Sequence, residues 1–282
     1  MADKKTVACI IARTNSTRLP RKVLGTIKGK RMIEYIIEKM KRVKSVDSIY
    51  LCTSVDPDDA ILLKIAEECG IKGYVGSRTA VIDRMLEVAA LEKADNVVRI
   101  TGDNIFTDEI FLERMIAEHN NQGDAEYTRT EFLPLGVTAE VITVNALARC
   151  RELIDPDKSE YLMLYMFDPS IFKCTVLIPP ENLRGEYLSL TVDTPADFQR
   201  TEFLLGQLYK DGRIFYDDIL KLSQGAEVPH IRVDKDSSVK MPDAGEMTYE
   251  EFRRNIMGRL IADSKQIFLE EKFYEDQRRL EK

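Results

Sequence analysis

Three short stretches of this chain carry residues that suit a metal-bound polyphosphate. The first is I11-A-R-T-N-S-T-R-L-P-R-K22, which follows the apolar run Val7–Ala12. It supplies Arg13, Arg18, Arg21 and Lys22, with hydroxyls at Thr14, Ser16 and Thr17, and it contains no acid. Guanidinium forks and hydroxyl donors match phosphate oxygens, and the backbone N–H groups of a strand-to-helix loop add further donors. The second stretch, V97-V-R-I-T-G-D-N104, ends an apolar run on Asp103, and Gly102 permits the tight turn that aims the acid into a cleft. The third, L190-T-V-D-T-P-A-D-F198, ends another short apolar run on Asp193. Mg²⁺ takes few carboxylates and completes its shell with waters and phosphate oxygens, so two aspartates beside a cationic loop would serve it.

Each residue also has a plainer reading. The Arg13–Lys22 loop could be an exposed basic turn; Asp103 could cap a helix or close an Asx turn; Asp193 could cap the helix that begins at Pro195, a role Thr194 fills as well. The combination of all three favours the metal–phosphate reading. The loop is not a Walker A motif, since G-x-x-x-x-G-K-[ST] is absent, and it does not match G-x-G-x-x-G.

These residues need strands to present them. Runs at Val7–Ala12, Ser48–Thr53 and Val97–Thr101 alternate with stretches that place Ile33, Ile36, Ile37 and Met40, then Ile61, Ile65, Ala66 and Cys69, at helical spacing. A third such stretch carries Val81, Met85, Leu86 and Ala89. This rhythm predicts an α/β fold with a mostly parallel, doubly wound sheet, with ligands beyond the carboxyl ends of its strands. After Glu126 the pattern predicts strands over 137–143, Phe172–Ile178 and Tyr187–Val192, and helices near Asn145–Leu153, Ser159–Phe167 and Pro195–Leu208. From Arg232 the composition turns polar, as in a linker, and T248-Y-E-E251 has the form of a capping box that opens a last helix. That helix is expected to carry Phe252, Ile256, Leu260, Ile267 and Phe273. The division expected is a catalytic domain over 1–230 and a linker plus C-terminal helix over 231–282, packing on the domain or forming a homodimer.

Composition narrows the class. A 282-residue chain with 44% hydrophobic and 32% charged residues reads as globular and not as disordered. Residues 1–44 carry 13 Lys/Arg against Asp3, Glu34 and Glu38, a local charge of +10 in a chain of net −7. A local basic site in an acidic protein suits a small polyanion and argues against nucleic acid. The five cysteines are widely spaced and form no C-x-x-C, which fits reduced cytoplasmic thiols. The first apolar run is too short for a signal peptide or membrane span.

A12-R-T-N-S-T-R-L-P-R-K22 resembles the A-R-x-x-S-x-R-L-P-x-K signature of the cytidylyltransferases that activate acidic sugars, the 3-deoxy-manno-octulosonate and acylneuraminate enzymes among them. R99-I-T-G-D-N-I-F-T-D108 and T191-V-D-T-P-A-D197 are similar to segments of the spore-coat polysaccharide branch, as are G76-S-R-T-A-V-I-D-R84 and L133-P-L-G-V-T-A-E-V141. The resemblance spans about 6–230. It implies a Rossmann-like nucleotide-diphospho-sugar transferase fold and transfer of CMP from CTP to an acidic sugar or a phosphorylated acceptor. It also implies that Arg13, Ser16, Arg18 and Lys22 bind the phosphates, with Lys22 and Arg13 catalytic. Gly76 and Ser77 would approach the base, and Asp103 and Asp193 would hold Mg²⁺. Departures stand at Ile105 for a proline, Ala80 and Thr138 for acids, and Glu160 for a histidine; all but the first are expected on the acceptor side or base rim. Two alternatives remain: a glycosyltransferase whose metal motif would be V55-D-P-D-D59, and a nucleotide-binding homologue without activity.

Overall fold

A computed structural model of the chain describes residues 4–16, 18–242 and 245–280; Thr17 lies outside the described residues. The chain opens with β1 (Thr6–Ile11), whose apolar run is buried up to Ile10. A small hairpin, β2 (Thr26–Ile27) and β3 (Lys30–Arg31), leads into α1 (Met32–Met40), β4 (Ser48–Ser54), α2 (Ala60–Glu68), β5 (Lys72–Gly76), α3 (Val81–Glu92), β6 (Asn96–Thr101) and α4 (Glu109–Asn121). Then come β7 (Tyr127–Thr130), β8 (Glu140–Thr143), α5 (Val144–Leu153), α6 (Leu162–Met166), β9 (Cys174–Ile178), α7 (Pro195–Leu208) and α8 (Tyr216–Gly225). The remaining elements are β10 (Ser238–Lys240), β11 (Glu246–Thr248), α9 (Tyr249–Asp263), β12 (Lys265–Phe268) and α10 (Phe273–Leu280).

Eight strands form one sheet in the order β12-β9-β7-β8-β6-β1-β4-β5. Every pairing is parallel except the two made by β8. Because strand side chains alternate between faces, Ala8, Ile10, Leu51 and Ile100 join α1, α2 and α4 in one core. Val7, Cys9, Cys52 and Val97 join α3 and α5 in the other. This is the doubly wound α/β fold expected from the alternation. The chain moves outward from β1 through β4 to β5, then returns to place β6 on the other side of β1. The loops after β1 and β6 therefore part at a topological switch point, where a crevice opens beyond the strand ends.

Several elements differ from the sequence expectation. Tyr187–Val192 is not a sheet strand; it is an extended segment joined by the isolated bridges Leu135–Ser189 and Leu188–Arg232. Its neighbours are loops, so it has no strand to pair with. The strand expected over 137–143 is confined to Glu140–Thr143, because Gly136 turns the chain at φ +90°. A Cβ at Gly136 would stand 2.6 Å from the Thr191 nitrogen, so this close approach requires glycine. The final helix ends at Asp263, and Ile267 instead lies on β12, which extends the sheet beside β9. Phe273 opens the separate helix α10 and packs with Tyr274 against Phe111. The capping box expected at Thr248 forms and opens α9, and Thr194, expected as a cap, opens α7 with a second box made with Asp197.

His119, on α4, is wholly buried, and its Nδ1 meets Thr128 Oγ1 at 2.8 Å. Burial pushes its pKa down to about 3. The folded state thus holds it neutral, while the unfolded chain protonates it near 6.5. Its contribution to stability is complete above pH 6.5 and is lost as pH falls toward 3, by about 1.4 kcal/mol per unit. Denaturant unfolding at pH 7, 6 and 5 should show a shallower acid decline for His119→Asn than for the wild type. Equal slopes would contradict the assignment.

Candidate active site

The crevice at the switch point is about 800 Å³ and is lined by the loop after β1, the turn after β6 and Asp193. Its floor is set by backbone contacts. Ala12 N–H donates to the Cys52 carbonyl and Gly102 N–H to the Ile11 carbonyl, so the two strand ends sit side by side. A Cβ at Gly102 would lie 2.8 Å from that of Ala12. Val192 N–H donates to the Asp103 carbonyl at 3.1 Å, which straps the extended segment bearing Asp193 to the β6 turn.

The basic loop is folded back on itself. Arg21, in the left-handed region at φ 56°, donates its N–H to the Thr14 carbonyl and leads into a single 3-10 turn, Lys22–Leu24. Thr14 donates both its N–H and its hydroxyl to Asp59 Oδ1, at 2.6 and 2.7 Å. Ser54 donates its hydroxyl to the other oxygen of that carboxylate. Burial opposes the charge on Asp59, but these bonds outweigh it and hold its pKa below the ordinary carboxylate range. Asp59 is therefore the anchor of the loop. The V55-D-P-D-D59 stretch is not an open metal motif: Asp56 pairs with Arg78 at 3.3 Å, Pro57 opens a short 3-10 turn, and Asp59 is sequestered.

Lys22 Nζ lies 2.8 Å from Asp103 Oδ2 and 2.9 Å from Asp193 Oδ1. Arg18 reaches the same Asp193 oxygen at 2.9 Å. Burial disfavours the lysine's charge, yet the two carboxylates more than compensate and raise its pKa. Neither acid is spent as a helix cap. Thr194 caps α7, and Asp197 accepts the N–H groups of both Asp193 and Thr194. Asp108, not Asp103, caps α4.

Other residues are placed as follows. Arg13 lines the crevice and pairs with Glu160 at 3.2 Å, and Ser16 lines it as well. Gly76 ends β5 and Ser77 Oγ accepts from Ala80 N–H; neither lines the crevice, whereas Arg78 and Thr79 of the same turn do. Thr138 bonds its neighbour's carbonyl and Met115 and is not a lining residue. Arg84 is buried with its Nε unpaired among the described residues and one N–H donated to the Cys52 carbonyl. Sequence reasoning missed Asp59, Arg84 and the β10–β11 hairpin, which also lines the crevice. Asp59 and Arg84 had stood only inside the V55-D-P-D-D59 and G76–R84 stretches, and Glu160 only as the residue in the histidine's place.

Among the described residues no group of three or more His, Cys, Asp or Glu side chains converges on a metal site. Asp103 and Asp193 do converge, around a lysine ammonium that stands where a cation would be held between them. A two-carboxylate donor set of this kind suits Mg²⁺ that brings its own phosphate and water ligands.

The family described as Cytidylyltransferase matches residues 7–226. The chain belongs to that family. That membership makes it a CTP-dependent nucleotidyltransferase. It is 31% identical over 202 residues to the spore coat polysaccharide biosynthesis protein SpsF of Bacillus subtilis, a match that covers 69% of this chain and 84% of that protein. An uncharacterized protein of Methanocaldococcus jannaschii is also 31% identical, over 69% of this chain and 81% of its own length. Among solved structures, a cytidylyltransferase from Leptospira borgpetersenii superposes with a TM-score of 0.75 at 23% identity, covering 82% of this chain and 99% of that one. A CMP:2-keto-3-deoxy-manno-octonic acid synthetase solved with CTP gives 0.57 at 20% identity, over 72% and 99% of the two chains. These likenesses show the Rossmann-like cytidylyltransferase fold.

Proposed function

We propose that this cytidylyltransferase joins CMP from CTP to an acidic sugar or a phosphorylated small acceptor, with release of pyrophosphate, for surface polysaccharide or glycoconjugate synthesis. The observation that carries the reading is the approach of Lys22 Nζ to within 2.9 Å of both Asp103 and Asp193. In this reading Asp103 and Asp193 hold Mg²⁺, which supplies charge neutralisation at the phosphates. Arg13, Ser16, Arg18 and Lys22 take the triphosphate, with Arg13 and Lys22 catalytic. Backbone groups of Gly76 and Ser77 approach the base. As the acceptor oxygen bonds to the α-phosphorus and the bond to the β-phosphate breaks, Lys22 offsets the growing charge. Positioning and electrostatics then carry most of the catalysis. The relatives named for 3-deoxy-manno-octulosonate and for spore-coat polysaccharide support the acceptor class. The free thiols agree with a cytoplasmic site of action: all five cysteines are unbridged. No helix among the described residues is long and apolar enough to cross a membrane.

A homodimer is part of the proposal. The strand β12 lies at the sheet edge, and Phe268 on it is 70% exposed, as a subunit interface would leave it in a lone protomer. Sedimentation at micromolar concentration should report twice the monomer mass and a shift toward monomer for Phe268→Asp; a monomeric wild type would refute it.

Pyrophosphate release with CTP, ATP, GTP and UTP, each offered carboxylate and phosphate acceptors, checks the activity. CTP should exceed the others, and Asp193→Asn should lower kcat/KM by about 10²-fold or more. Full Mg²⁺-dependent activity in that variant would remove Asp193 from the metal site. Nucleotide binding without turnover on any acceptor would favour the inactive-homologue alternative.

A further inference from the structure

The segment beyond residue 226 lies outside the family match, yet it reaches the reaction crevice. Ser238, Val239 and Lys240 of β10 and Glu246 of β11 line the same cavity as Lys22, Asp103 and Asp193. The hairpin is held at its root. Val233 N–H donates to the Tyr187 carbonyl, and Tyr249 N–H donates to the Ser237 carbonyl. The Tyr249 hydroxyl donates to the Glu186 carbonyl at 2.6 Å, and the Tyr187 and Tyr249 rings meet edge to face at 6.1 Å. The extended segment that carries Asp193 thus also carries this arm.

The arm approaches from one half of the crevice. Its root bonds to the 187–192 segment, which bridges to Leu135 in the loop between β7 and β8. That is across the switch point from β4 and β5. The basic loop after β1 and the turn at Arg78 and Thr79 line the β1–β4–β5 half, and the two aspartates stand between the halves. With the triphosphate on the basic loop, the second reactant must reach the α-phosphorus from the half that the hairpin walls.

Charge pairing singles out one residue on that wall. Arg13, Arg18, Lys22, Arg78 and Arg99 of the crevice each pair with a carboxylate. Arg84 is buried and gives an N–H to a carbonyl. Lys240 is exposed to the crevice and makes no ion pair among the described residues. Glu246 stands directly opposite it in the hairpin register, but its carboxylate accepts the Ser238 hydroxyl at 2.7 Å and forms no salt bridge with Lys240.

We propose that the β10–β11 hairpin is the acceptor-side wall of the crevice and that Lys240 receives the anionic group of the acceptor. The proposal rests on the cytidylyl-transfer reading above and gives the tail a part in substrate choice. An ammonium facing the crevice serves a carboxylate or a phosphate equally, so both are probed. Steady-state kinetics with CTP would use 3-deoxy-manno-octulosonate as the carboxylate acceptor and 2C-methyl-D-erythritol 4-phosphate as the phosphate acceptor. Lys240→Gln should raise KM for whichever acceptor is turned over by about tenfold, and Lys240→Glu should raise it further. The KM for CTP should stay within about twofold, and Lys240→Arg should restore most of the acceptor affinity. An unchanged acceptor KM in Lys240→Glu, with the wild type active, would overturn this inference alone. Wild-type turnover with neither acceptor would overturn both it and the proposed function.

Discussion

The site is organised by one ammonium held between two carboxylates. Lys22 comes from the loop after β1, Asp103 from the turn after β6, and Asp193 from an extended segment far along the chain. Two like charges brought this close repel, and the arrangement is stable only with a cation between them. In the chain alone that cation is Lys22, assisted by Arg18. The same geometry makes an exchange possible. In the proposed reading Asp103 and Asp193 would hold a metal ion supplying charge neutralisation, while Lys22 and Arg18 would bind the phosphates, so the cluster would stay neutralised in both states.

The rest of the fold serves to bring these three segments together. The switch in strand order parts the loops after β1 and β6, and Gly102 lets those strand ends pack closely enough to share a floor. Gly136 lets the extended segment pass within contact of the β7–β8 loop, and the Val192–Asp103 hydrogen bond fixes its height. Asp59 holds the basic loop from beneath through the Thr14 amide and hydroxyl. The tail is tied into the same body: β12 extends the sheet, and the Tyr274 hydroxyl donates to buried Asp108 just beyond the turn that bears Asp103. Tail and site are thus parts of one packed unit.

What could be read from the sequence was what depends on near neighbours. The strand ends at Ile11 and Thr101, the cap at Thr194, the capping box at Thr248, and the charge pattern of the Arg13–Lys22 loop are local signals, and each element formed where expected. What escaped depends on distant partners. Asp59 stood only within a candidate metal motif because its partner Thr14 is 45 residues away. Glu160 drew notice only as a departure from a pattern, and its pairing with Arg13 spans 147 residues. Tyr187–Val192 has the apolar character of a strand but no strand beside it, and Ile267 has a strand beside it that helical spacing concealed. The role of the β10–β11 hairpin was hidden for the same reason: a polar stretch looks like a linker until its anchor on Tyr187 and Tyr249 is seen.

The central claim is that the Asp103–Lys22–Asp193 cluster exchanges its internal cation for a metal when nucleotide binds. A crystal structure of the protein with CTP and Mn²⁺, located by its anomalous signal, tests this most directly. The account predicts a metal peak coordinated by both aspartates and a Lys22 ammonium moved onto a phosphate oxygen. A nucleotide bound with Lys22 still between the two carboxylates, and the metal elsewhere, would contradict it.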